Sequence, residues 1–147
     1  MLLWCRATKP GGWLEFQDYG CELFTPDGIQ RDKHDPARPI VNWLYHIVEA
    51  AEKLDRPLVI ARGMKQMMEK AGYIDVEEKV AIWPVGTWPK DKRLKKIGRW
   101  GLVGLSDTVD PFAELLLKRS GWPDEKVTKL CNEVRTEIPK SNYYFQG

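Results

Sequence analysis

Four polar side chains close a short aromatic run in the stretch KPGGWLEFQDY: Glu15, Gln17, Asp18 and Tyr19. Two carboxylates, an amide and a phenol at a strand end can orient a ligand through hydrogen bonds and take a proton from it. Asp18 is the candidate for that orienting or deprotonating role. The same stretch also suits a plain structural role. Gly11 and Gly12 would make a turn, Trp13, Leu14 and Phe16 would fill a core, and Gln17, Asp18 and Tyr19 would cap a strand. Further along, Trp83 and Trp88 sit in WPVGTWP, where two prolines bracket a glycine and stiffen the backbone. Two indoles held this way suit the aromatic wall of a pocket, or the closure of a hydrophobic core.

Other chemistries find little support. The three cysteines, Cys5, Cys21 and Cys131, are widely spaced with no CxxC, which argues against a disulfide framework and a zinc site. They read as buried, inert thiols. Of the two histidines, His46 sits beside apolar Ile47 as a packed or surface residue, and His34 lies in a polar loop that would have to close to reach a site. No His/Cys cluster suggests a metal, and no GxSxG elbow suggests a hydrolase. Lys90, Lys92, Arg93, Lys95, Lys96 and Arg99 form the densest basic stretch, with Trp100 beside it as a stacking group. That stretch reads as a solvated helix face or as a surface for a protein or phosphate partner. A net charge of +2 makes nucleic acid an unlikely general partner.

The elements that must position these groups alternate strand and helix. The length of 147 residues, 43% hydrophobic and 30% charged, suits one domain. No apolar run approaches a membrane span, and the opening MLLWCRATK lacks the features of a secretory signal, so a cytoplasmic or nuclear protein is expected. Residues 13–19 are predicted as a strand, and residues 25–39 as a mobile polar loop able to act as a lid. Leu44, Ile47, Val48, Ala51 and Leu54 have helical spacing, stopped by Asp55-Arg56-Pro57. Met64, Met67, Met68 and Ala71 share a face of a shorter helix, read as core packing, with Gly72 as its C-terminal cap. Ile74, Val76, Val80 and Ile82 share strand parity, and residues 83–89 are expected to be irregular. Leu94, Ile97 and Leu105 mark a helix weakened by Gly98, Gly101 and Gly104, which needs tertiary support. Asp110-Pro111 reads as the start of a new helix, and Pro123 as the start of another carrying Val127, Leu130, Cys131, Val134 and Ile138. The closing NYYFQG suits a last aromatic strand; its final residues also look like a protease-tag remnant, and the residues leave both open.

Three segments together carry a family resemblance: ATKPGGWLEFQDYGCELF, AAEKLDRPLVIARGMKQMMEKAGYIDVEEKVAIWPVGTWPKDKRLKKIGRW and GWPDEKVTKLCNEVRTEI. They resemble the C-terminal half of LaeA-like S-adenosylmethionine-dependent methyltransferases of fungi. The resemblance covers nearly the whole chain and is most specific where WPVGTWPKDKRLKKIG follows AGYIDVEEK. It implies an α/β fold, namely the part of the Rossmann-like class I methyltransferase fold around its strands five to seven. KPGGWLEFQDY would be the fifth strand with its leading turn, residues 74–83 the sixth, and the helices of residues 90–138 an insertion before the seventh. It also implies S-adenosylmethionine as cofactor and a methyl acceptor that is a small molecule or a protein side chain. On this view Asp18 orients or deprotonates the acceptor, while Glu15, Gln17, Tyr19, Trp83 and Trp88 line its site. Velvet-type regulators of nuclear complexes are the implied protein partners, in a setting of fungal secondary metabolism.

The chain departs from that family at the cofactor. The glycine-rich turn after the first strand and the acidic residue after the second have no counterpart here. Gly98, Gly101 and Gly104 are spaced GxxGxxG within a helix, follow no strand, and read as close-packing positions. Residues that hold the cofactor cannot be carried over. The expectation is one domain, residues 1–147, lacking the glycine-rich motif and forming an acceptor-side half that is inactive alone. The alternative is a non-catalytic, methyltransferase-like module that binds a partner. In either case an uncovered sheet edge should pair with the missing half or another protein.

Overall fold

The computed structural model describes residues 7–31, 34–35, 37–58 and 61–147. In chain order it contains β1 (Leu23–Phe24), β2 (Gln30–Arg31), α1 (Pro39–Lys53), a 3-10 turn (Ala61–Gly63), α2 (Met64–Lys70) and β3 (Ile82–Val85). There follow α3 (Lys92–Phe112), a π-helical turn (Ala113–Lys118), α4 (Asp124–Glu137), a 3-10 turn (Ile138–Lys140) and β4 (Tyr143–Gln146). The four strands form one sheet in the order β2-β1-β4-β3, with every neighbouring pair antiparallel.

Local sequence explains the helices at the core. Proline begins α1, where its missing N–H costs nothing, and the Glu137 carboxylate accepts from the Ile40 N–H at 2.7 Å. The α1 stripe Ile40, Leu44, Ile47 and Ala51 is buried. In α4, Asp124 and Glu125 lie in the first turn, where they favour the positive end of the helix dipole. Its buried Val127, Leu130, Cys131 and Val134 face α1 and the π-helical turn, which adds Leu116 and Leu117. These side chains, with Leu23, Val85, Val109 and Tyr143, form the hydrophobic core cluster.

The helix α3 lies along the outer edge of β3. Its Gly98 carbonyl accepts from the Gly86 N–H at 2.9 Å. A Cβ at position 98 would sit 2.0 Å from the Gly86 carbonyl oxygen, and one at 101 would sit 2.3 Å from that of Pro84. Only glycine permits this approach, so Gly98 and Gly101 are close-packing positions as the sequence suggested, whereas nothing lies within 4 Å of a Cβ at Gly104, which corrects that reading there. The same contact covers an edge strand that contains a proline.

Several expectations give way. Residues 13–19 alternate in exposure, but they form no strand, and Trp13 is 95% exposed rather than in the core. Just beyond them the Gly20 N–H donates to the Gln146 carbonyl of β4 at 2.8 Å. Residues 74–81 likewise lie outside any strand, with a left-handed bend at Asp75 (φ of 53°) and Ile74 86% exposed. Their partner, β4, reaches only as far as the Ile82–Gln146 pair, beyond which Ala81 and Gly147 exchange backbone hydrogen bonds. Trp83, Pro84 and Val85, expected to be irregular, belong to β3, and the bend begins at Gly86 with φ of 90°.

The expected loop at residues 25–39 instead holds a hairpin and the first residue of α1. Thr25 N–H donates to the Ile29 carbonyl at 3.0 Å, and Gly28 supplies the positive φ of the turn. Asp110 is not a helix start either, since Pro111 lies inside α3 and the π-helical turn follows directly. A wider turn beside proline absorbs its missing hydrogen bond. The methionines of α2 are half-buried and outside the core cluster, which corrects the reading of that stripe as core. Gly72, by contrast, has the left-handed φ of 93° expected of a helix-terminating glycine. Cys5 lies outside the described residues.

Candidate functional site

The backbone brings Tyr19, Trp83 and Phe145 together on one side of the sheet. Trp83 pairs directly with Phe145 across β3 and β4, so their side chains share a face. The Tyr19 and Trp83 rings stack at 6.2 Å within 10° of parallel, and Phe145 meets Tyr19 edge-on at 6.3 Å. Opposite them, α3 presents Ile97, Trp100, Leu105 and Thr108. Between the two lies an open groove of about 390 Å³.

Its lining is mostly apolar, with the Tyr19 phenol, the Thr108 hydroxyl and the indole N–H groups of Trp83 and Trp100 as polar side-chain groups. Thr108 donates to the Leu105 carbonyl at 2.9 Å within the helix. Burial, with help from Cys21 and Asp18, pushes the Tyr19 phenol above its ordinary range, so it stays neutral and able to donate. Among the described residues no carboxylate, histidine or cation lines the groove. Chemically, it can bind and orient a flat, mostly apolar body, and it offers no resident base.

The other candidates fall elsewhere. Asp18 accepts from the neighbouring Tyr19 N–H at 2.8 Å, which fixes its carboxylate beside the backbone rather than in the groove. Glu15 accepts from the Gln17 amide at 2.5 Å, and both are exposed. Trp88 donates from its indole to the Tyr143 carbonyl at 3.2 Å and lies beside Tyr144, whose side chain alternates to the opposite face from Phe145. The two indoles therefore part company: Trp83 walls the groove and Trp88 packs against β4.

The opening turn is formed as expected, with Gly12 N–H donating to Lys9 at 2.8 Å and Gly11 at φ of 77°. It borders a separate cleft of about 470 Å³ next to residues 71–75. His34 and His46 meet one another and Tyr45 edge-to-face, with Trp122 edge-to-face on His46, away from the groove residues. Burial pushes the Cys21 thiol up to about 11, with Asp18 and Glu22 adding to the effect, and burial also raises Cys131; neither is a ready nucleophile. Among the described residues no group of three His, Cys, Asp or Glu side chains could hold a metal ion, and no helix is long and apolar enough to cross a membrane.

Sequence reasoning missed Ile97, Trp100, Thr108 and Phe145 as groove residues. A signal existed for the first three. Ile97, Trp100 and Gly101, Gly104 and Leu105, and Thr108 recur at three and four residues, which is one helix face.

Comparison with known proteins bears directly on this chain. The methyltransferase pytC of Aspergillus terreus is 31% identical over 137 residues, which are 92% of this chain and 41% of that protein. The secondary metabolism regulator LAE1 of Cochliobolus heterostrophus is 31% identical over 139 residues, 88% of this chain and 42% of the regulator. The probable methyltransferase tdiE of Emericella nidulans is 28% identical over 133 residues, 90% of this chain and 41% of its own length. No family model matches, and neither does any solved structure. The chain spans about two fifths of the length of these curated relatives. Along about nine tenths of itself, then, this chain is a homologue of fungal methyltransferases and LaeA/LAE1 regulators of secondary metabolism, as its linked motifs implied.

Proposed function

We propose that this chain is the acceptor-side part of an S-adenosylmethionine-dependent methyltransferase, a single domain whose cofactor-binding residues come from elsewhere in a longer or second polypeptide. The groove of Tyr19, Trp83, Trp100 and Phe145 carries the reading, because it offers orientation to an apolar acceptor. Antiparallel β4 beside β3 is compatible with the seventh and sixth strands of the Rossmann-like class I fold, whereas residues 13–19, the expected fifth strand, join no ladder and β1 pairs with β2 in an antiparallel hairpin.

The described residues do not fit the cofactor itself. A dinucleotide-type or adenosyl ligand needs glycine backbone free to approach it and a carboxylate for its ribose. Here Gly98 and Gly101 are filled by Gly86 and Pro84, and the groove has no carboxylate. Calorimetric titration of the chain with S-adenosylhomocysteine, with light scattering on the same sample, tests this. The expected result is no binding up to millimolar ligand by folded protein, and micromolar binding would overturn it.

The exposed Trp13, Ile74 and Val80 favour a second reading, a non-catalytic module that docks a partner on that surface. The missing methyltransferase half and a velvet-type regulator are the candidate partners, in the cytoplasm or nucleus. Adding the cofactor-binding half of a pytC-like relative discriminates the two readings. Restored S-adenosylhomocysteine binding supports the enzyme, and assembly without cofactor affinity supports the module.

A further inference from the structure

We infer that the groove between α3 and the β3–β4 pair binds a flat aromatic small molecule carrying one anionic group. The inference deepens the proposed function, and rests on it only in calling that molecule a methyl acceptor. The volume of about 390 Å³ lies in the range of small-molecule sites. Its walls are unusually open for such large apolar groups, with Trp83 53% and Trp100 70% exposed. The near-parallel Tyr19 and Trp83 rings offer π-faces to a flat ligand, and stacking on them would take both indoles out of water.

Charge along α3 supplies the second half of the argument. Residues three, four and seven apart share a side of a helix, which places Lys96 and Arg93 one and two turns before Trp100. Asp107 lies two turns beyond Trp100 on the same side, so the groove rim is cationic at one end and acidic at the other. Among the described residues, no ion pair takes Lys90, Lys92, Arg93, Lys95, Lys96 or Arg99. They crowd the first turns of α3, where the helix dipole already presents positive charge, so the fold gains nothing from them there. An aromatic body in the groove with a carboxylate or other anion toward Arg93 and Lys96 uses both features. A lysine or arginine side chain as ligand meets the wrong charge at that end and no carboxylate in the lining.

The test is an NMR titration of the whole chain with 2-naphthoate, read at the tryptophan indole N–H signals, with neutral 2-naphthamide and cationic 2-naphthylmethylammonium as matched probes. The expected result is joint movement of the Trp83 and Trp100 signals, with a dissociation constant below about 1 mM and Trp88 and Trp122 unmoved. The amide should bind about fivefold more weakly and the cation more weakly still, as partly exposed charges allow. Arg93→Gln with Lys96→Gln, both on the helix surface, should bring naphthoate down to the amide, and Trp100→Ala should weaken both. Equal affinity for the three probes, shifts spread over all indoles, or no saturable binding would overturn the inference. So would loss of naphthoate binding when a cofactor-binding half is added and covers Trp83 and Trp100. Methyl transfer is not part of the readout, so failure of the proposed activity leaves the binding result standing.

Discussion

The side of the molecule where α1, the π-helical turn and α4 meet differs sharply from the flank formed by residues 13–19 and 74–81. Both regions carry apolar residues at regular spacing. On the packed side, Ile40, Ile47, Leu117 and Val134 are buried completely or nearly so. On the open flank Trp13, Ile74 and Val80 face solvent. Spacing decides which way side chains point, whereas burial needs something opposite them. The π-helical turn and α4 face α1, whereas residues 13–19 belong to no strand or helix, and their contacts leave Trp13 in solvent.

Substitutions can break or sharpen this contrast. The largest loss is expected at Leu117→Ala, which empties part of the packed side and should cost about 3 kcal/mol in urea unfolding. Next comes Gly98→Ala, whose new methyl collides with the backbone of Gly86 and should cost about 2 kcal/mol. Gly104→Ala is its control, since nothing lies within 4 Å of a Cβ there, and it should gain about 0.5 kcal/mol from helix propensity.

His46 gives a smaller, pH-dependent effect. Burial holds its imidazole below the ordinary 6.5 while Glu49 pulls the other way and His34 and Lys126 add to the lowering. As pH falls below 6.5 the unfolded chain takes the proton first, so stability is full above that value and declines through the folded-state pKa. His46→Gln should flatten that decline by a few tenths of a kcal/mol, about what solvent screening leaves, in melts between pH 7 and 5. Trp13→Ala should shift stability by less than about 0.5 kcal/mol despite removing the largest side chain type. A loss near that of Leu117→Ala would mean the open flank is packed in solution, and the contrast would collapse.

Much of the helical architecture was legible residue by residue. Asp55-Arg56-Pro57 follows the end of α1 and Pro123 caps α4, while Pro39, read as the end of a loop, is instead the first residue of α1. These signals are local, because capping and proline geometry involve only a few successive residues. Strand limits were less legible. Residues 13–19 and 74–83 have strand-like alternation, yet a ladder forms only along the four residues facing β4. For the site, Tyr19 and Trp83 were recognised as chemistry-bearing and stand together in the groove, while Asp18, Glu15, Gln17 and Trp88 point to other partners. Phe145 could be placed there only by the pairing of β4 with β3.

The sequence by itself determined the end of α1, the start of α4, the glycines at positions 98 and 101, and the kinship with fungal methyltransferases, since each is written in neighbouring residues or in linked motifs. Tertiary structure alone decided that Tyr19, Trp83, Trp100 and Phe145 share one groove. These residues are far apart in the chain, and their meeting depends on antiparallel register between β3 and β4 and on how closely Gly98 and Gly101 let α3 approach. Both are matters of backbone packing across long sequence separations, on which local preference has no purchase.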